Sequence, residues 1–377
     1  MSNSLSSRIP VTLLTGFLGS GKTTILNHLV QQPELATALV IINEFGAVAL
    51  DHRLVAHSTD HVVMEMSSGC LCCTIRGDLI DTLRDIHWRF SREGLRQYDR
   101  VLIETTGLAD PAPIIHTLMT QPEVATRYRL DGVVTALDLA TGWETLDRQT
   151  EAVRQAAMAD VLLLTKGDLI APERRSELEQ RLKAINPAAP RYDVRDGVVA
   201  PDLLLDLGFY AVEGKTPNVR RWLREEAYAD ERPVKGDTHA SDHYHGQGAD
   251  HAHHHGHGPH HEHDVNRHDD QIRAFCFSLN EPIPEVVLAA WLEMLLRFVG
   301  SDILRVKGIL HIEGHDRPFV IQGVQHIFHP PISLPAWPDE DRRSRVVFIT
   351  RGVERQAIEE TFDAFRQAVP QAWEVET

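Results

Sequence analysis

The sequence predicts an α/β fold in which a mostly parallel sheet is flanked by helices and followed by a smaller α+β domain. Two observations support this prediction, namely short apolar runs without polar alternation and helical periods between those runs. Strands that are apolar throughout are buried on both faces, which is typical of a parallel sheet covered by helices. The length of 377 residues favours two domains, because single cores stop growing near about 250 to 300 residues.

The first domain is predicted to extend over residues 1–221. Its strands are expected at 10–15, 38–43, 62–65, 101–104, 132–137 and 161–165. The helices between them are expected near 22–31, 77–91, 111–119, 143–158 and 172–185. Ligands of such sheets bind beyond the carboxyl ends of the strands, so the chemistry of the chain should lie at that edge.

Residues 222–270 are predicted to form a flexible linker, because they contain almost no apolar side chains after Val234. Twelve of the 22 histidines lie in this linker, between His239 and His268. A second, α+β domain is predicted over residues 271–377. Its strands are expected near 271–278, 303–314, 317–327 and 345–350, and its helices near 284–298 and 354–368.

Composition excludes several classes of protein. The chain is 42% hydrophobic and 24% charged, which is the balance of a globular protein. The net charge of −16 argues against a broad nucleic-acid-binding surface, which needs a basic face. No segment resembles a secretory signal or approaches the roughly 18 apolar residues of a membrane span. With three of its four cysteines clustered, the chain is expected in the reducing cytoplasm, with metal or redox chemistry in place of disulfides.

A phosphate-binding loop follows the first predicted strand. The segment 16–24 has the sequence GFLGSGKTT and precedes a predicted helix, which is the context in which this pattern binds phosphate. Backbone N–H groups of such a loop cradle phosphate oxygens at a helix N-terminus, where the helix dipole favours anions. Lys22 is expected to reach the β- and γ-phosphates, and the Thr23 hydroxyl to bind Mg²⁺. The residues expected to bind the nucleotide here are Gly16, Gly19, Ser20, Gly21, Lys22, Thr23 and Thr24.

Two further segments are expected to complete the nucleotide site. Glu104 ends the fourth apolar run and is a candidate to hold the Mg²⁺ shell through water, while the Gly107 amide is a candidate γ-phosphate sensor. Thr165, Lys166 and Asp168 follow the sixth run with the T/N-K-x-D spacing. The Asp168 carboxylate can accept two hydrogen bonds that guanine donates and adenine cannot, which favours GTP over ATP.

A cysteine cluster, formed by Cys70, Cys72 and Cys73, is predicted to bind a metal ion. Three thiolates in one short loop suit Zn²⁺ or Cu⁺, and a set without a fourth ligand nearby is typical of an open, exchangeable site. Buried free cysteines and a redox pair are the alternatives. Glu44 and Asp51 lie in the segment after the second strand, which we expect the γ-phosphate to order together with the thiol loop.

The attacking water has three candidate positioning residues, which are Glu44, Asp51 and Glu104. All three are carboxylates expected near the γ-phosphate, where intrinsic turnover is slow without a partner. Lys22 is the fourth residue expected to take part in hydrolysis.

The motifs together resemble those of the CobW family of metal-handling GTPases. They are GFLGSGKTT (16–24), NEFG (43–46), GCLCC (69–73), ETTGLADP (104–111) and TKGD (165–168), and the segments 305–308 and 322–324 resemble the CobW C-terminal domain. The resemblance implies a P-loop GTPase domain that hydrolyses GTP and hands Zn²⁺ from the cysteine loop to client apoproteins. Docking of clients in part on the C-terminal domain and nucleotide-dependent dimerisation are further expectations. Thr165 departs from the family, in which Asn is more usual.

Other functions stay open at this point. A GTP-dependent factor that inserts cobalt for corrin-ring synthesis or for a metallohydrolase is one, because three thiolates do not fix the metal as Zn²⁺ or Co²⁺. A small-molecule kinase with a structural zinc is another, although the spacing at 165–168 argues against it. The histidine tract favours metal acquisition over a solvated linker, and a metal store built on it is a further possibility. Arg305 and Lys307 are expected either to contact a client or to be solvated.

Overall fold

The protein is described by a computed structural model that covers residues 8–43, 63–65, 74–93, 95–208, 271–329 and 331–373. Several predictions lie outside these residues. They concern the linker at 222–270 with its histidine tract, and the side chains of Glu44, Asp51, Cys70, Cys72 and Cys73.

A seven-stranded parallel sheet forms the centre of the first half of the chain. In chain order the strands are β1 (Ile9–Thr15), β2 (Ala38–Asn43), β3 (Val63–Glu65), β4 (Ser91–Arg92), β5 (Leu95–Arg96), β6 (Arg100–Thr105), β7 (Tyr128–Asp138), β8 (Val161–Thr165) and β9 (Arg191–Val194). Strands β4 and β5 form a separate antiparallel pair, and the others lie in the order β3-β2-β6-β1-β7-β8-β9. The six predicted strands are all present. Strand β9 was not predicted, because it lies at an edge of the sheet and is only partly buried, so its sequence RYDV has no apolar run.

Helices cover both faces of this sheet. They are α1 (Lys22–Leu29), α2 (Thr74–Arg89), α3 (Ala112–Thr120), α4 (Pro122–Ala125), α5 (Gly142–Arg148), α6 (Thr150–Met158) and α7 (Pro172–Ile185). The helix predicted over 143–158 is two helices, because Gln149 between them has an extended backbone. Neighbouring strand residues pack on opposite faces, with Ile103 under α2 and α3 and Leu102 under α1. Burial on both faces explains why these strands carry no polar alternation.

The second half of the chain folds around an antiparallel sheet. Its strands are β10 (Ile272–Leu279), β11 (Ile303–Leu310), β12 (Phe319–Val324), β13 (Ile327–Phe328), β14 (Ile332–Ser333) and β15 (Ser344–Arg351), and its helices are α8 (Glu285–Val299) and α9 (Arg355–Trp373). The strand order is β10-β15-β11-β12-β13, with β14 also paired to β12. One face of the sheet packs under α8 and α9, where Trp291 and Phe362 contact Phe277. Among the described helices, none is long and apolar enough to cross a bilayer.

The two sheets are joined by a shared core. Leu304 and Ile349 of the second sheet are buried against the apolar faces of α6 and α7. Val324 and Ile327 at the β12–β13 turn are buried against α3 and its neighbours. The C-terminal domain therefore packs directly on helices α3, α6 and α7 of the first domain.

Candidate functional site

The loop at 16–24 requires glycine at two positions. Gly16 has φ +138°, and a Cβ there would lie 2.2 Å from the carbonyl oxygen of Ala136 on the neighbouring strand β7. Gly21, directly before α1, has a left-handed backbone with φ 90°. The loop thus turns tightly against β7 and leads directly into α1, and the N-terminus of a helix that follows such a loop favours phosphate.

Lys22 is held by the loop that it follows. Its Nζ donates hydrogen bonds to the carbonyl oxygens of Gly16, at 2.8 Å, and Phe17, at 3.1 Å. The side chain is 7% exposed. The ammonium group is therefore kept inside the curve of the loop, where it can contact the phosphate oxygens that the loop binds.

Thr23 and Glu104 meet across the carboxyl edge of the sheet. The Thr23 hydroxyl donates a hydrogen bond of 2.8 Å to Glu104 Oε1. Parallel pairing places Glu104 on β6 beside Leu14 on β1, one residue before the end of β1. A hydroxyl and a carboxylate are the hard oxygen ligands that Mg²⁺ prefers, so the residues present fit that ion.

A second loop, residues 106–111, lies directly against the phosphate loop and is called the sensor loop below. At Gly107 a Cβ would lie 2.5 Å from the backbone nitrogen of Leu18, so only glycine permits this approach. Gln155 Nε2 donates to the carbonyl oxygens of Gly107, at 3.1 Å, and Ala109, at 3.0 Å. Residue Gln155 was missed by sequence reasoning. Its one signal is a polar side chain within the buried stripe of α6.

The TKGD segment is attached to the phosphate loop through Thr165. Its hydroxyl donates a hydrogen bond of 2.9 Å to the Ser20 carbonyl oxygen. Lys166 has a left-handed backbone, with φ 56°, and its Nζ pairs with Asp138 at 2.6 Å. Asp168 lies in the short 3-10 helix that follows, with its side chain exposed and available to a base. Asp138 was not singled out from sequence because its partner, Lys166, lies 28 residues further along the chain.

The structure brings most of the expected nucleotide residues to one edge. The phosphate loop, Glu104, Gly107 and Thr165 all lie at the carboxyl ends of β1, β6 and β8. In the part of the chain that the structure describes, no group of three or more His, Cys, Asp or Glu side chains is placed to hold a metal ion. The expected cysteine site lies outside that part, between the end of β3 at Glu65 and the start of α2 at Thr74.

Arg305 and Lys307 do not lie in solvent, so the expectation that they are solvated was wrong. Arg305 donates to the Met158 carbonyl oxygen at 2.8 Å and to Asp160 Oδ1 at 2.5 Å, and Lys307 bonds the same oxygen. The three side chains are between 6% and 14% exposed. They form an ion cluster between the two domains, which is called the Asp160 cluster below.

The Asp160 carboxylate is charged in this cluster. Burial raises the pKa of Asp160, but the attraction of Arg305 and Lys307 outweighs burial and holds that pKa below its usual value. Its second oxygen accepts a hydrogen bond of 2.8 Å from the Val133 amide. Burial lowers the pKa of Lys307, and the attraction of Asp160 opposes this effect.

The fold and the loop geometry define a phosphate-loop nucleotide-binding protein. Two family models match the chain, the CobW/HypB/UreG nucleotide-binding domain over residues 10–193 and the cobalamin synthesis protein CobW C-terminal domain over residues 272–366. The sequence is 31% identical over 359 residues to the zinc chaperone YjiA of Escherichia coli (strain K12), covering 95% of this chain and 99% of the relative. The chain therefore belongs to the CobW family, as its motifs predicted.

Two further comparisons agree with this assignment. The zinc chaperone CobW of Pseudomonas aeruginosa is 29% identical, with 93% of this chain and 90% of the relative covered. The crystal structure of the Zn(II)-bound YjiA GTPase from E. coli superposes with a TM-score of 0.63 and 28% identity, covering 95% of this chain and 99% of that chain. The likeness extends over both domains, so it confirms the predicted fold class.

Proposed function

We propose that this protein is a GTPase that binds Zn²⁺ through Cys70, Cys72 and Cys73 and transfers it to client apoproteins when GTP is hydrolysed. One observation carries the nucleotide part of the proposal. Thr23 and Glu104 are joined by a hydrogen bond of 2.8 Å beside a phosphate loop whose lysine is already in place. The zinc part is supported by the cysteine motif and by the relatives, which are named zinc chaperones.

Each described residue of the site has a role in GTP binding. Loop amides and Lys22 bind the phosphates, and the Gly107 amide donates to the γ-phosphate. Thr23 would bind Mg²⁺ and Glu104 would hold the shell of that ion through water, and the ion would supply positive charge to the phosphate oxygens. Asp168 selects guanine through its exposed carboxylate.

The cysteine loop is connected to the same edge of the sheet. Strand β3 is parallel to β2 and ends at Glu65, while α2 begins at Thr74, so Cys70, Cys72 and Cys73 follow a carboxyl end as the phosphate loop does. This connectivity supports a coupling in which GTP raises the affinity of the thiolates for Zn²⁺ and hydrolysis lowers it. Glu44 and Asp51, in the segment after β2, are the candidates to orient the attacking water. Clients dock in part on the C-terminal domain, and nucleotide promotes a dimer.

The test is a competitive Zn²⁺ titration of the full chain, with and without Mg²⁺ and a non-hydrolysable GTP analogue, beside measurement of GTP hydrolysis. Titration of Co²⁺ in parallel tests the cobalt alternative. We expect the analogue to tighten one Zn²⁺ site, and Cys72→Ser to abolish that site. Cys276→Ser is the matched control, because Cys276 is buried on β10 in the second domain. Zinc affinity that is equal with and without the analogue would contradict the coupling, and absence of GTP hydrolysis would contradict the GTPase assignment.

A further inference from the structure

The side chain of Gln155 binds the sensor loop through two hydrogen bonds. The residue is 1% exposed on α6, and its two amide hydrogens are donated to the carbonyl oxygens of Gly107 and Ala109. Those two carbonyls belong to the Gly107–Leu108 and Ala109–Asp110 peptide groups, and the amides of Leu108 and Ala109 between them donate to Thr106 within the same loop. A single side chain therefore sets the orientation of two peptide groups next to the position expected for the γ-phosphate.

The neighbouring residue on α6 holds the same loop by charge. Arg154 pairs with Asp110 Oδ2 at 2.8 Å, and Asp110 Oδ1 accepts a hydrogen bond of 2.9 Å from the Ala112 amide at the start of α3. The Asp110 contact is partly exposed, so it is weaker than a buried pair. Gln155 is the buried member and thus the one that fixes the loop with the least competition from water.

The helix that carries Gln155 is itself anchored at its carboxyl end. Asn186 Nδ2 lies 2.9–3.1 Å from the carbonyl oxygens of Ala156, Ala157 and Ala159. The Met158 carbonyl oxygen accepts from Arg305 of the second domain at 2.8 Å. An anchored helix gives Gln155 a fixed position, against which the sensor loop can be placed.

Gln155 also lines a small cavity behind the phosphate loop. The cavity has a volume of about 20 Å³, which is room for one water molecule, and Leu18 and Ser20 also line it. Gln155 Oε1 and Ser20 Oγ are both buried, and neither has a hydrogen-bond partner among the described residues.

We propose that Gln155 is a positioning residue that fixes the Gly107–Leu108 peptide group, and with it the sensor loop whose Gly107 amide is expected to donate to the γ-phosphate, and so gives the site its preference for GTP over GDP. The inference rests on the proposed GTPase function. GDP has no γ-phosphate, so the placement of the sensor loop contributes to the affinity for GTP alone. Removing the side-chain amide leaves the carbonyl groups of Gly107 and Ala109 without their donor, and the loop relaxes away from its position.

The test compares Gln155→Met with Thr135→Val in the full chain. Thr135 Oγ1 donates a hydrogen bond of 2.8 Å to the main-chain oxygen of Gln155, so the control loses a buried contact to the same helix turn without touching the sensor loop. Calorimetry with Mg²⁺ gives the affinity for a non-hydrolysable GTP analogue and for GDP. We expect Gln155→Met to weaken binding of the analogue by about tenfold, the effect of one net hydrogen bond. The affinity of this variant for GDP should be unchanged. Thr135→Val should leave the affinities for both ligands unchanged.

The outcomes separate this inference from the proposed function. Equal weakening of the analogue and GDP by Gln155→Met would show a merely structural role and overturn the inference, as would unchanged affinity for both. Binding of no guanine nucleotide by the wild type would overturn the proposed function and the inference together. If Gln155→Met does not fold, Gln155→Asn gives the same comparison, because its amide is one carbon too short to reach both carbonyls.

Discussion

The side-chain hydroxyl of Thr165 donates a hydrogen bond of 2.9 Å to the carbonyl oxygen of Ser20. These residues are 145 positions apart in the chain, and their contact joins the segment expected to bind guanine to the loop expected to bind phosphate. Thr165 stands where Asn is more usual in the family, and its hydroxyl makes this hydrogen bond. Base and phosphate recognition are held at a fixed separation by this bond.

Thr165→Val should weaken the binding of both GTP and GDP. The substitution removes the hydroxyl at constant shape and leaves the buried Ser20 carbonyl without this donor, which costs about 1–3 kcal/mol. Calorimetry with both nucleotides and urea unfolding measure the two effects. Thr120→Val is the control, because its hydroxyl bonds the His116 carbonyl on an exposed helix turn. Loss of GTP affinity alone would contradict a role in joining the two segments.

Glu104→Gln should reduce GTP hydrolysis and raise the Mg²⁺ concentration needed for half-maximal rate, each by about tenfold or more, as for changes in the outer shell of a metal site. The amide oxygen can still accept from Thr23, so the fold is retained while the negative charge is lost. Chelation of Mg²⁺ should abolish the difference between variant and wild type. The matched control is Glu144→Gln, an exposed acid in the first turn of α5. An unchanged Mg²⁺ requirement in Glu104→Gln would exclude the proposed role.

Asp160→Asn should destabilise the protein by about 3–5 kcal/mol, because it leaves two buried cations without their carboxylate. Denaturant unfolding of the full chain measures this loss. Asp302→Asn is the control, since its pair with Arg351 is about one-third exposed at both side chains and should contribute about 0–1 kcal/mol. Similar losses in the two variants would mean that the Asp160 cluster is no more stabilising than a surface pair.

The stability difference between wild type and Asp160→Asn should shrink in acid. The pKa of Asp160 in the folded protein lies below its ordinary value of 3.8, because the two cations outweigh burial. A carboxyl group whose pKa is lower in the folded protein than in the unfolded chain stabilises the fold at pH values above its unfolded pKa. This stabilisation is lost as the pH falls through the pKa of the folded protein. Urea midpoints of both proteins between pH 6 and the acid limit of folding test this. A difference that stays constant below pH 4 would contradict the charged assignment.

Local motifs and buried strands could be predicted from the sequence, because each is encoded by consecutive residues. The phosphate loop at 16–24 and the six apolar runs are of this kind. The edge strand β9 could not, since partial burial imposes no apolar pattern. The break at Gln149 was also missed, because the apolar period continues through it.

Residues whose roles depend on distant partners were not accessible to sequence reasoning. The sequence shows Gln155 only as a polar residue in a helix. Its hydrogen bond to Gly107, which lies 48 residues earlier in the chain, is visible only in the fold. The structural role of Arg305 and Lys307 depends on their bonds to Asp160, which lies about 145 residues earlier in the chain. A buried ion cluster and a solvated strand can have the same local sequence, so only the tertiary structure distinguishes them.

The Asp160 cluster requires complementary charges on the two domains. Asp160 belongs to the nucleotide-binding domain, while Arg305 and Lys307 belong to the other, and a domain taken alone exposes its half of the charges. Chimeras that exchange C-terminal domains between relatives should therefore assemble only where donor and recipient carry the same charges at these three positions. Compatibility at this junction restricts which C-terminal domains can be combined with a given nucleotide-binding domain.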